Sequence, residues 1–76
     1  MIILKKGKTI IKKYESAYDF TEDNETLQTH FIGKIYDEKG LNNLLDFVRK
    51  NAFSFCIYGA KARLGGGYIL ETEKRG

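Results

Sequence analysis

The stretch Ile10-Ile11-Lys12-Lys13-Tyr14-Glu15-Ser16-Ala17-Tyr18-Asp19-Phe20 passes into a polar segment, Thr21-Glu22-Asp23-Asn24-Glu25-Thr26. It re-emerges as Leu27-Gln28-Thr29-His30-Phe31-Ile32-Gly33-Lys34-Ile35-Tyr36. Ile10, Tyr14, Tyr18 and Phe20 share one parity, and Lys13, Glu15 and Asp19 share the other. Such period-two alternation marks a half-buried strand. Beyond the polar segment, Leu27, Thr29, Phe31, Gly33 and Ile35 alternate with Gln28, His30 and Lys34, while Ile32 and Tyr36 break the pattern. The expectation is a long antiparallel hairpin from Ile10 to Tyr36, with Phe20 opposite Leu27, Tyr18 opposite Thr29 and Tyr14 opposite Gly33. That register gathers nearly all the apolar side chains on one face, and a slip by one residue would scatter them.

Strands of about 12 residues at about 3.3 Å each reach about 40 Å. A domain of 76 residues should be only about 30 Å across. The hairpin is therefore expected to bend near Gly33, to overhang the core, or to pack on a second copy as a homodimer.

Outward from this segment the signals are more conventional. Met1-Ile2-Ile3-Leu4 and Thr9-Ile10-Ile11 flank Lys5-Lys6-Gly7-Lys8, which predicts a tight hairpin with Gly7 at positive φ. Leu41, Leu44, Leu45 and Val48 follow helical spacing. Asp37 or Gly40 would open that helix, Arg49 and Lys50 suit its negative end, and Asn51 would close it. Phe53–Tyr58 and Tyr68–Glu73 read as strands, joined by a loop from Gly59 to Gly67, with Lys74-Arg75-Gly76 as a frayed tail. The predicted fold class is α+β: one domain over residues 1–76, a mainly antiparallel sheet of about five strands and one amphipathic helix, in the order β-β-β-α-β-β.

Composition narrows the function classes. Hydrophobic residues make up 42% and charged residues 30% of the chain, which argues against wholesale disorder. No apolar run is long enough to span a bilayer, and lysines follow the first four residues where a signal peptide would be apolar. The single cysteine, Cys56, allows no internal disulfide and favours a cytoplasmic setting. A buried, inert thiol is expected there, and the lone His30 is expected to be structural or solvated. The net charge of +3 is unevenly spread. Residues 1–13 hold five lysines and no acid, whereas residues 14–40 hold seven acids against Lys34 and Lys39. The chain is neither a uniform polyanion binder nor an acidic mimic of DNA.

Three local features carry candidate chemistry. In the loop Gly59-Ala60-Lys61-Ala62-Arg63-Leu64-Gly65-Gly66-Gly67, glycine backbone and two cations could approach a phosphate, but neither nucleotide-binding glycine pattern is present. Ala52–Tyr58 faintly echoes the aromatic octapeptide of RNA-recognition motifs, but lacks that octapeptide's glycines and preceding basic residue. Lys12, Lys13, Tyr14, Lys34 and Tyr36 would lie close together in the proposed sheet, a mixture that suits single strands or protein interfaces. The acids at the hairpin tip sit where water would screen them, so no catalytic residue, metal ligand or cofactor is expected.

The leading expectation is a small non-enzymatic protein-binding module. Ten lysines against three arginines, with many Ile, Asn and Tyr and neither Trp nor Pro, resemble the usage of small accessory proteins from AT-rich bacterial or phage genomes. The resemblance implies an inhibitor or adaptor of a larger machine. Its candidate contact residues are Tyr18, Glu22, Asp23, Glu25, Lys34, Tyr36, Lys61, Arg63, Gly65, Gly66 and Gly67. The alternative is a nucleic-acid-binding domain using Lys5, Lys6, Lys8, Lys12, Lys61 and Arg63 with the glycine-rich loop.

Overall fold

The computed structural model describes residues 1–51, 59 and 61–72. The amino-terminal hairpin forms as expected. Strand β1 (Ile2–Lys6) pairs antiparallel with β2 (Thr9–Tyr14), and Gly7 turns the chain at φ 62°. The pairing carries a bulge: Leu4 faces Lys12 and Lys5 faces Ile10, so Ile11 has no cross-strand partner. A bulge leaves one residue unpaired and tightens the local twist. Here Ile11 packs against the edge of the core.

The long hairpin does not form. The chain leaves the sheet at Tyr14 and enters helix α1 (Ala17–Glu22) and then helix α2 (Asn24–Phe31). Ser16 caps α1, its hydroxyl accepting from the Asp19 backbone N–H at 3.1 Å, which satisfies a donor that a helix start leaves orphaned. Ala17, Phe20 and Thr21 of α1 and Leu27 and Phe31 of α2 are buried at helical, not strand, spacing. Phe20 packs edge-on to Tyr14 at 5.2 Å, so these two side chains meet across a strand–helix junction. The pairing of Phe20 with Leu27 is replaced by two short helices in series, and there is no 40 Å arm. Helical rise is about 1.5 Å per residue against about 3.3 Å for a strand, and the molecule measures 37 × 25 × 17 Å.

Helix α3 (Glu38–Lys50) follows the sequence expectation closely. Asp37 is its cap, accepting from the Gly40 N–H at 2.7 Å, and Asn51 ends it. Leu41, Leu44, Leu45 and Val48 form its buried stripe. Strand β3 (Lys61–Arg63) lies inside the segment expected to be a loop, and Gly65–Gly67 make a short 3-10 turn into β4 (Tyr68–Thr72). The expected strand at Phe53–Tyr58, with Cys56, and the tail from Lys74 to Gly76 lie outside the described residues.

The architecture is thus α+β with a four-stranded antiparallel sheet in the order β2-β1-β4-β3 and three helices among the described residues. It replaces the expected five strands and the order β-β-β-α-β-β. Strand β1 is central, with Ile2 opposite Tyr14 on one side and Thr72 on the other. Ile2, Leu4, Tyr14, Tyr68 and Leu70 form one face of the sheet and pack with Phe20, Leu27, Phe31, Leu41, Leu44, Leu45 and Val48 of the helices. The two turns at one end of the sheet are tied by the Gly7 N–H donating to the Gly67 carbonyl at 3.0 Å.

Candidate functional site

Directly opposed residues on neighbouring strands share a face, and successive residues alternate. Since Ile2, Leu4, Tyr68 and Leu70 point into the core, the opposite face is fixed by the register. One row across the strands reads Arg63, Ile69, Lys5, Ile10, and the next reads Lys61, Glu71, Ile3, Lys13. Ile3 is buried without belonging to the helix-packed core cluster, and Lys5, Ile69 and Glu71 are half-buried. Ile10, Lys13, Lys61 and Arg63, on the two flanking strands, are exposed.

This outer face is basic and aliphatic. Lys5 donates to Glu71 at 3.0 Å, which leaves that pair internally matched. Lys13, Lys61 and Arg63 have no ion-pair partner among the described residues. Among the described residues this face carries no aromatic ring, because Tyr14 and Tyr68 are turned into the core. The charge asymmetry of the sequence becomes an asymmetry between layers. The four strands with their first turn hold seven basic residues against Glu71, while the segment from Glu15 to Asn51 holds eight acids against four basic residues.

The basic residues of the nucleic-acid alternative do not converge. Lys5, Lys61 and Arg63 lie on the outer face, whereas Lys6 and Lys12 lie on the core side at its margin. Lys6 sits over the Tyr68 ring at 5.3 Å. Lys12 sits over the Tyr14 ring at 5.3 Å and donates to Asp23 Oδ2 at 2.7 Å. Lys8 is at the hairpin turn, exposed.

Asp23 is a structural node. It links α1 to α2, and its Oδ2 also accepts from the Tyr14 hydroxyl at 2.9 Å. Burial works against ionisation of this carboxyl, yet hydrogen bonds from Lys12, Tyr14 and Thr26 and the Lys12 charge hold it below the usual carboxylate range. Burial, reinforced by the Asp23 carboxylate, pushes the Tyr14 phenol well above its ordinary value.

The glycine turn is also committed to packing. A Cβ placed on Gly65 would meet Ile35 Cγ2 at 3.0 Å, and one on Gly66 would meet Ile35 Cγ1 at 3.2 Å. Gly66 and Gly67 adopt φ 68° and 83°, conformations that favour glycine. Close backbone approach is therefore used here, toward the Ile35 side chain. Ile35 is delivered by a tight turn after α2, in which the Phe31 carbonyl accepts from the N–H groups of Ile35 and Tyr36, both at 3.1 Å.

The remaining candidate contact residues are dispersed. Tyr18 and Glu22 are exposed on α1, and Glu22 lies 3.6 Å from Arg49 of α3. Glu25 is exposed on α2 and Lys34 on the turn beyond it. Tyr36 packs half-buried against Phe31 at 6.1 Å. His30 is half-buried beside Tyr68, ring centroids 6.4 Å apart. A shallow groove of about 490 Å³ runs along residues 32–38, and one of about 320 Å³ lies between Tyr18 and Arg49. Among the described residues, no group of three His, Cys, Asp or Glu side chains is placed to hold a metal, and no helix is long and apolar enough to cross a membrane.

The sequence reading missed Ile10 and Ile69 on the outer face and grouped Lys13 with Lys34. The neighbours of Lys13 on its face are instead Ile3 and, beyond it, Glu71 and Lys61. Comparison with known proteins finds no matching family model, no matching curated protein and no matching solved structure.

Proposed function

We propose that this chain is a non-enzymatic protein-binding module that contacts its partner through the outer face of the sheet. The observation that carries the reading is the interleaving of exposed Ile10 and half-buried Ile69 with Lys13, Lys61 and Arg63 on that face, in two ordered rows. Protein interfaces combine an apolar centre with a polar rim. The half-buried centre and exposed charged flanks of this face have that layout. An inhibitor or adaptor role fits such a surface, because occupying a partner's contact area requires no catalytic group.

Nucleic acid is less well matched. Sequence-tolerant binding of single strands relies on aromatic platforms, and the rings of Tyr14 and Tyr68 face the core. Three of the lysines of that reading are already engaged by Glu71, Asp23 and the Tyr68 ring.

Affinity capture from a bacterial lysate tests the reading. The unmodified chain should retain a partner protein in stoichiometric amount. The combined variant Lys13→Glu, Lys61→Glu, Arg63→Glu should lose it, while Asp19→Lys with Glu25→Lys on the helices should keep it. Retention that depends on the helical variant instead would place the contact on the wrong layer and refute the proposal.

A further inference from the structure

We infer that the free edge of β2 takes an extended segment of a partner protein as an added strand, with an acid opposite Lys13 and an aliphatic residue opposite Ile10. This rests on the reading of the outer face as the contact surface and specifies how its β2 margin is engaged. Strand β2 ends the order β2-β1-β4-β3, and its outer side makes no backbone hydrogen bond among the described residues. Ile10 is 48% exposed, and Thr9, Lys12 and Lys13 are exposed with it. This margin is therefore clear of the buried centre at Ile3.

The register fixes which backbone groups face outward. Gly7 and Lys8 form a two-residue turn, whose closing pair, Lys6 and Thr9, exchanges hydrogen bonds. Along β1 the groups then point alternately to its two neighbours. Those of Lys6, Leu4 and Ile2 meet β2, and those of Lys5 and Ile3 meet β4. The Gly7 N–H, which donates to Gly67 on the β4 side, keeps to the same alternation. Lys12 and Tyr14, opposite Leu4 and Ile2, therefore turn their groups toward β1, whereas Lys13 and Ile10, opposite Ile3 and Lys5, turn theirs outward. The side chains of the same two residues lie on the outer face, so a strand bonded to them sets its own side chains directly opposite.

The chemistry at each position differs. Lys13 has no ion-pair partner among the described residues and takes an acid. Ile10 takes an aliphatic side chain, which covers its exposed surface. β1 matches these two residues with positions two apart, Ile3 and Lys5, and an added strand keeps that interval. Its intervening residue falls beside Lys12, whose charge Asp23 already holds at 2.7 Å, and is neutral. Antiparallel pairing, the commoner sense, gives the order acid, neutral, aliphatic along the partner. A second β2 is a poor occupant, because it would bring its own two lysines into the ladder. Strand addition takes affinity from main-chain bonds and selectivity from alternate side chains.

The probe is the end-capped peptide Ser-Thr-Glu-Thr-Val-Thr-Ser, titrated into the uniformly labelled full chain and followed by amide chemical shifts and hydrogen exchange. The amides of Ile10 and Lys13 should move downfield and gain protection. N-methylation at the peptide's Glu and Val removes the donors aimed at β2 and should weaken binding at least about tenfold, whereas N-methylation at the Thr between them should change it less than about twofold. Lys13→Glu should weaken the unmodified peptide about tenfold, as expected for reversal of an interfacial charge. Equal effects of the two N-methylations would overturn strand addition, and undiminished binding to Lys13→Glu would overturn the acid. An oligonucleotide that shifts these amides where the peptide does not would replace the protein partner with nucleic acid. If the peptide moves neither amide while capture still depends on Lys13, Lys61 and Arg63, the inference fails and the contact surface stands. If capture depends on the helices, both fail.

Discussion

At Asp23, one carboxylate oxygen accepts from a lysine and a tyrosine of the same strand, at 2.7 and 2.9 Å. The bond to the mostly buried Tyr14 hydroxyl should outweigh the Lys12 contact, because Lys12 is nearly half exposed and screened. Tyr14→Phe should cost about 1 kcal/mol and Asp23→Ala about 2 kcal/mol in urea unfolding, with the double variant falling short of the sum. The pH dependence has a definite sign. Because folding lowers the Asp23 pKa, its contribution is complete above the ordinary carboxylate value of about 4 and fades as pH falls toward the folded value. Because folding raises the Tyr14 pKa, that contribution is complete below about pH 10 and fades as pH rises beyond it. Asp23→Asn should flatten the acid limb of the stability profile, and unfolding midpoints measured from pH 2 to 7 would show an unchanged slope if Asp23 is not responsible.

Among the elements, the glycine turn and the Ile35 loop form a matched pair. Gly65 has no positive φ, so Gly65→Ala isolates the steric effect of a Cβ at 3.0 Å from Ile35 Cγ2. It should destabilise by about 1 kcal/mol, within the range for overpacking. In an Ile35→Ala background the same change should cost close to nothing; an undiminished cost would mean that Ile35 is not the obstacle. The helix from Glu38 was readable from sequence because its cap, stripe and closing residue agree. The helices from Ala17 to Phe31 were not, and the reason is geometric. Residues four apart lie on one face in a helix and also share parity in a strand. Leu27 with Phe31, both buried on one helix, therefore fits both readings. The discriminating signals were Ser16 ahead of Asp19 and the buried odd-numbered Ala17 and Thr21 beside even-numbered Phe20. The candidate surface was hidden for a different reason. Lys13, Ile3, Glu71 and Lys61 come from four strands, and only the order β2-β1-β4-β3 makes them neighbours.

For the whole molecule, the sheet ends among the described residues at β2, an exposed six-residue edge. Open edges invite pairing with another chain, and lysines and bulges discourage it. This edge has Lys12 and Lys13 on its two faces and a bulge between them and Ile10. With the overlong hairpin gone, its motive for a homodimer goes too. Sedimentation should give a monomer across a wide concentration range. Lys12→Thr with Lys13→Val should introduce concentration-dependent association; a dimer in the unmodified chain, unaffected by salt, would contradict this view of the edge.

The central position of β1 also shapes how the protein comes into being. Its second neighbour is β4, so Ile2 must wait for Thr72 and Leu4 for Leu70. During synthesis the first hairpin and the three helices can gather by local contacts, but the β4 side of β1 stays unpaired until Tyr68–Thr72 has left the ribosome. Contacts so distant in sequence slow closure through the entropy of the intervening loop. A nascent or prematurely ended chain therefore shows the apolar strand Ile2-Ile3-Leu4 to its surroundings, and completion of Tyr68–Thr72 is the event that hides it.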